Sequence, residues 1–261
     1  MSDRRERQKQ ARAAAKEAKR KAAARRELRR RIIIGLSLGT AVAVALLLLG
    51  TFSSGDENEI PNALADFYDQ PTACDASAPE PPTEMQFDQP INQAIRADAT
   101  VTATLETSCG TIVLELDVAG FPETVNNFVF LARNDFYDGT AFHRVAADFV
   151  IQGGDPTADG SGGPGYTIAD ELPGDDFVYE PGVVAMANAG RNTTGSQFFI
   201  VSGDRASTLN ASFNVLGRVV DGFDVVERIN EVPTRQQPGA REDSYPRESI
   251  YLESVTITVD G

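Results

Sequence analysis

The 261-residue chain carries 24 Lys and Arg against 38 Asp and Glu, a formal net charge of −14. The balance is split: residues 1–31 hold 14 basic and 4 acidic side chains, so a head of +10 precedes a remainder of −24. The acidic remainder argues against nucleic acid as a partner of the folded part.

In chain order, residues 1–31 read as a basic, helix-prone segment that stays in the cytoplasm, setting topology or meeting anionic lipid heads. Residues 32–52 contain no charge, and as a helix they reach about 30 Å, the thickness of a bilayer core. The basic flank before them orients the span with its amino end inside. The expectation is a single-pass cell-membrane protein whose folded domain is extracytoplasmic. A cleaved signal peptide is the alternative, although its apolar region is usually only about 7–15 residues long. Residues 53–97 are rich in Pro, Asp, Glu, Ala and Ser, and are expected to form an extended extracytoplasmic spacer with one short helical turn over 60–68. The two cysteines, Cys74 and Cys109, form an even pair that outside the cytoplasm is expected to oxidise. Two unrelated thiols are the other reading.

Residues 98–261 read as one folded domain. Alternating runs at 100–105 and 111–116 predict a hairpin turning at Ser108-Cys109-Gly110. Pro122 at a first-turn position, Glu123 after it, and apolar residues at 125, 128, 129 and 132 predict an amphipathic helix. Strand segments are expected at 142–145, 149–151, 166–168, 182–188, 197–201, 214–220 and 251–259, with a bulge at Gly217. A second short helix is expected through Val225, Val226 and Ile229. Many strands, two helices and frequent Gly, Pro and Asp turns predict a mainly β, closed antiparallel barrel.

Gly160-Ser161-Gly162-Gly163-Pro164-Gly165 satisfies the spacing of a dinucleotide fingerprint, but Pro164 denies it the helix that must follow. It is read as a close-packed surface loop. His143 is the only histidine; no triad or metal-ligand spacing surrounds it, and it is read as a strand residue with a structural hydrogen bond.

Two clusters carry the remaining signal. The first is Phe142-His143-Arg144 with Phe149, Val150 and Gln152-Gly153-Gly154; strand alternation would put Phe142 and Arg144 on one face. The second is Met186-Ala187-Asn188 with Gly195-Ser196-Gln197-Phe198-Phe199. Together with Asp155-Pro156-Thr157 and Gly162-Gly163-Pro164-Gly165-Tyr166, these motifs resemble the cyclophilin family of peptidyl-prolyl isomerases, collinearly over about residues 98–260. The resemblance implies eight barrel strands with a helix capping each end, and proline-containing polypeptides as clients. It also implies a catalytic role for Arg144 with Gln152, and a peptide groove formed by Phe142, Phe149, Val150, Ala187, Asn188, Gln197, Phe199, Leu209 and Phe213. No cofactor or metal is implied, and the domain is expected to be monomeric.

The chemistry asks for no more than this. Rotation about an X-Pro bond faces a barrier of about 18–20 kcal/mol from amide resonance, and a fixed cation that favours the twisted, pyramidal nitrogen lowers it. The sequence departs from the best-known relatives at Thr208, where they have Trp, and at Phe213, where they have His. Weak binding of cyclosporin is expected from the missing indole donor. A domain that holds proline segments without turning them over is the alternative function.

Overall fold

The computed structural model describes residues 62–236 and 242–260. The basic segment 1–31, the apolar run 32–52 and the start of the spacer lie outside the described residues. A short helix α1 (Asn62–Tyr68) leads into the hairpin β1 (Thr100–Thr107) and β2 (Gly110–Leu116), followed by helix α2 (Pro122–Ala132). The central strands are β3 (Thr140–Ala141), β4 (Arg144–Ala146), β5 (Val150–Gly153), β6 (Val183–Met186), β7 (Phe198–Val201) and β8 (Val215–Asp221). Helix α3 (Phe223–Asn230), the small hairpin β9 (Thr234–Gln236) and β10 (Asp243–Pro246), and β11 (Tyr251–Asp260) complete the order.

Nine strands form one antiparallel sheet in the order β3-β11-β1-β2-β8-β6-β7-β5-β4, with β9 and β10 a separate pair. The strand period fixes which side chains face inward. Val101, Ala103 and Leu105 on β1, Ile112 and Leu114 on β2, and Ile151, Val184, Phe198, Ile200 and Leu216 further round the sheet all join one buried core. Helix α2 contributes Val125, Phe128 and Val129 to that core, and α3 contributes Val225, Val226 and Ile229, so each helix buries the stripe its periodicity predicts. A bulge interrupts the pairing of β6 with β8 between Val184 and Ala185, opposite Gly217 and Val215.

The expected closed, eight-stranded barrel is corrected to an open one. The end strands β3 and β4 are not paired with each other. They are consecutive in the chain, joined through Phe142 and His143, and these two residues turn the chain across the gap instead of laddering over it. The expected strand at 166–168 is loop, with Ile168 making an isolated bridge to Thr194 and the Tyr166 hydroxyl donating to Asn127 Oδ1 at 2.6 Å.

The stretch 62–97, expected to be an extended spacer, lies against the barrel. Leu64 and Phe67 are buried with Tyr245 and Tyr251, and Thr72 bridges Ser249 in parallel. Further on, the Phe87 ring stands edge-on to Phe130 at 5.0 Å. Gly139, at φ +76, passes so close that a Cβ would lie 2.4 Å from the Glu80 carbonyl oxygen; only glycine allows the strap to sit there. The apolar residues scattered among the prolines are anchors for this wrapping, which explains the absence of any local period. Cys74 and Cys109 form a disulfide across 35 residues of chain, with a Cα–Cα separation of 5.2 Å, fastening the strap to the β1–β2 turn.

Candidate active site

The groove is built on the outer face of the strands whose inner face forms the core. Register places Arg144 on β4 opposite Gln152 on β5, Gln152 opposite Phe199 on β7, and Phe199 opposite Ala185 on β6. A cation, a carboxamide and an aromatic ring therefore stand in one lateral row. Around it Val150, Phe199, Ala206 and Val215 form an outer apolar cluster, with Phe149, Ala187, Leu209 and Phe213 packed on it at half-buried positions. Phe199 meets Phe213 edge-to-face at 5.3 Å. Phe213 is itself fixed by Tyr179, whose hydroxyl donates to the Phe213 carbonyl (2.8 Å) and accepts from its amide (3.1 Å).

Loops bring the rest. The turn at 147–149 is stitched to the 203–206 segment: Arg205 Nη1 donates to the Ala147 carbonyl at 2.8 Å, and the Asp204 amide donates to Asp148 Oδ1 at 3.2 Å. Gly203 sits so near this turn that a Cβ would fall 2.5 Å from the Asp148 carbonyl carbon, so any side chain would push the Leu209 wall away from Phe149. Asn188 Nδ2 donates to the Ser212 carbonyl at 2.9 Å, tying the Ala187 edge to the loop before Phe213.

The polar side is a relay of amides. Arg144 Nη1 donates to Gln152 Oε1 (3.2 Å) and Gln152 Nε2 donates to Gln197 Oε1 (3.0 Å). Gln197 Nε2 donates in turn to the carbonyls of Gly160 and Gly162, each at 3.0 Å. The glycine loop thus serves as an acceptor platform. It lines a groove of about 960 Å³ with Gln152, Ala187, Asn188 and Gln197. Gln86 from the strap also reaches this groove, donating through Nε2 to the Gly163 carbonyl at 3.2 Å.

Of the residues singled out in the sequence, Arg144, Phe149, Val150, Gln152, Ala187, Asn188, Gln197, Phe199, Leu209 and Phe213 come together here. Phe142 does not. It is 0% exposed and its ring stands against Phe198 inside the barrel. The alternation that paired it with Arg144 fails because residues 142 and 143 lie between strands. His143 is buried, and Nδ1 has no hydrogen-bond partner among the described residues. Burial pushes its imidazole below the ordinary histidine range, against the opposing pull of the Asp155 carboxylate and the Ala141 backbone.

Sequence reasoning missed two charged residues at the mouth. Arg144 Nη2 donates to Glu242 Oε1 at 2.5 Å, and Arg205 and Arg144 each place their guanidinium carbon 5.5 Å from the centroid of the Phe149 ring. Nothing local marks Glu242, which stands 98 residues from Arg144.

An open antiparallel barrel carrying a shallow apolar groove, with an arginine and an amide relay along one side, defines a class. The family described as "Cyclophilin type peptidyl-prolyl cis-trans isomerase/CLD" matches residues 102–257. The chain belongs to this family, and it is an enzyme of the peptidyl-prolyl cis-trans isomerase class. It is 41% identical over 177 residues to peptidyl-prolyl cis-trans isomerase A of Mycobacterium tuberculosis, covering 61% of this chain and 93% of the relative. It is 46% identical over 136 residues to the mouse (Mus musculus) peptidyl-prolyl cis-trans isomerase-like 1, covering 51% and 81%. Among solved structures, a cyclophilin type isomerase of Cryptosporidium parvum superposes with a TM-score of 0.55 at 29% identity, covering 62% of this chain and 99% of that one. The same protein in the presence of the dipeptide Ala-Pro gives a TM-score of 0.54 at 30% identity, covering 60% and 98%.

Proposed function

We propose that the enzyme isomerises X-Pro bonds of extracytoplasmic client polypeptides by stabilising the twisted amide with Arg144. The carrying observation is the Arg144 guanidinium, held by Gln152 and set over the Phe149 ring beside an outer apolar cluster of Val150 and Phe199 with Phe149, Leu209 and Phe213 packed on it. The proline ring packs against that apolar surface, while the peptide on either side lies along Ala187, Asn188 and Gln197. As the prolyl nitrogen becomes pyramidal its lone pair is freed from resonance, and a permanently charged donor meets it more favourably than it meets either planar isomer. No proton is transferred and no covalent bond forms.

The location outside the cytoplasm is supported by the Cys74–Cys109 disulfide, since such bonds persist in oxidising compartments. The uncharged run at 32–52 after a +10 head supports a tether to the cell membrane. Membrane fractionation with an immunoblot at full mass tests the tether; a shortened protein released to the medium rejects it.

Exchange of an Ala-Pro peptide followed by NMR line shape tests the chemistry. Arg144→Ala is expected to lower kcat/KM roughly 10²–10³-fold, the scale of removing one transition-state donor, with the fold unchanged. Wild-type turnover no faster than the variant defeats the assignment. Peptide binding without exchange would make the domain a holder of proline segments.

A further inference from the structure

Glu242 has no part in the reaction as set out above, yet it touches the residue at its centre. It enters from the β9–β10 hairpin, whose β10 strand lies beside β4. Its Oε1 accepts from Arg144 Nη2 at 2.5 Å, and its Oε2 lies 3.9 Å from Arg205 Nη2. Arg144 is therefore held from both ends of its fork, by Gln152 at Nη1 and by Glu242 at Nη2. The Phe149 ring stands 5.5 Å from both guanidinium carbons.

A guanidinium offers five N–H donors in one plane. Two are used by these anchors, and the plane they fix leaves the others for a bound peptide. One anchor would leave the end of a long side chain free to swivel; two on opposite nitrogens define its orientation. The side chains of Arg144 and Glu242 are 32% and 34% exposed, and ion pairs this wet contribute little to stability. What the pair supplies is geometry. The contact to Arg205 ties the same carboxylate to the segment that precedes Leu209, so the guanidinium and the apolar wall are referenced to one group.

We propose that Glu242 is a positioning residue: with Gln152 it clamps Arg144 in the orientation that serves the twisted amide. This rests on the role given to Arg144 above. The experiment measures kcat and KM on an Ala-Pro peptide for the full-length chain and its Glu242→Ala, Glu242→Gln and Arg144→Ala/Glu242→Ala variants, with thermal unfolding of each. Glu242→Ala is expected to lower kcat roughly tenfold, as a modest misplacement of a reacting group does, with KM and the unfolding midpoint little changed. Glu242→Gln, which keeps an acceptor at the same reach, is expected to recover most of the loss. With Arg144 already removed, Glu242→Ala is expected to change nothing further. Turnover by Glu242→Ala equal to or above wild type overturns the proposal. So does a loss repeated in full without Arg144, or the absence of recovery by Glu242→Gln. A wild-type enzyme without turnover instead removes the reading of Arg144 itself, so the two failures are distinct.

Discussion

Phe198 and Phe199 are neighbours on β7 and belong to different parts of the molecule. The ring of Phe198 is enclosed by Phe128, Tyr137 and Phe142; that of Phe199 lies on the opposite face, in the outer cluster beside Tyr179 and Phe213. The same division runs along the sheet: Val145, Ile151, Val184 and Leu216 point to the interior cluster, while Ala146, Val150, Ala185 and Val215 point to the outer one. One set of strands thus holds the fold on one face and displays the site on the other. The site inherits the rigidity of the core without having to be part of it.

Truncating either ring is expected to separate the two faces. Phe198→Ala is expected to cost about 3–5 kcal/mol, the usual penalty for emptying an aromatic site in a core. Its effect should appear in chemical denaturation before it appears in KM. Removing the disulfide comes next. The strap adds Ala73 to the interior cluster, which Cys109 of the β1–β2 turn also joins, so Cys74→Ser is expected to lower stability by about 3–4 kcal/mol on the chain-entropy estimate and leave peptide turnover near wild type. A large loss of turnover in that variant would show that the strap, through Gln86, supports the groove as well.

Phe199→Ala should cost less, about 1.5–3 kcal/mol of burial, and should raise KM for the peptide. Equal stability losses at 198 and 199 would erase the distinction between the two faces. The smallest effect concerns His143. Burial holds its folded-state pKa below the ordinary histidine value, so as pH falls the unfolded chain takes up a proton before the native one does. The associated stability is fully present above about pH 6.5 and is lost as pH falls below it, by at most about 1.4 kcal/mol per unit. Unfolding midpoints measured between pH 7 and 5.5 should fall in wild type and flatten in His143→Gln.

The legible parts of the chain were those where a local period decides the outcome. Alternation at 100–105 and 111–116 gave the hairpin because one face of each strand is buried. Pro122 with its following apolar stripe gave α2 for the same reason. The residues that the register sets side by side, Arg144, Gln152 and Phe199, lie in motifs whose order follows the strands that carry them. Phe142 was misplaced because a two-residue crossing between strands breaks the alternation, and no residue type announces it. The strap was misread because its anchors, such as Phe67 and Phe87, are single rings in a Pro-rich background whose partners lie far along the chain. Glu242 gave no signal, since Thr234–Gln236 and Asp243–Pro246 carry neither alternation nor β-branched richness.

The gap in the barrel has a further effect. An unfinished sheet normally offers two rows of idle peptide groups on which a foreign strand can grow. Here those margins are two and three residues long. Ala141 is bridged to Asp155, the Phe142 amide is spent on Ile250, and the other margin lies under β10. The open barrel thereby offers a foreign strand no free margin long enough to pair with.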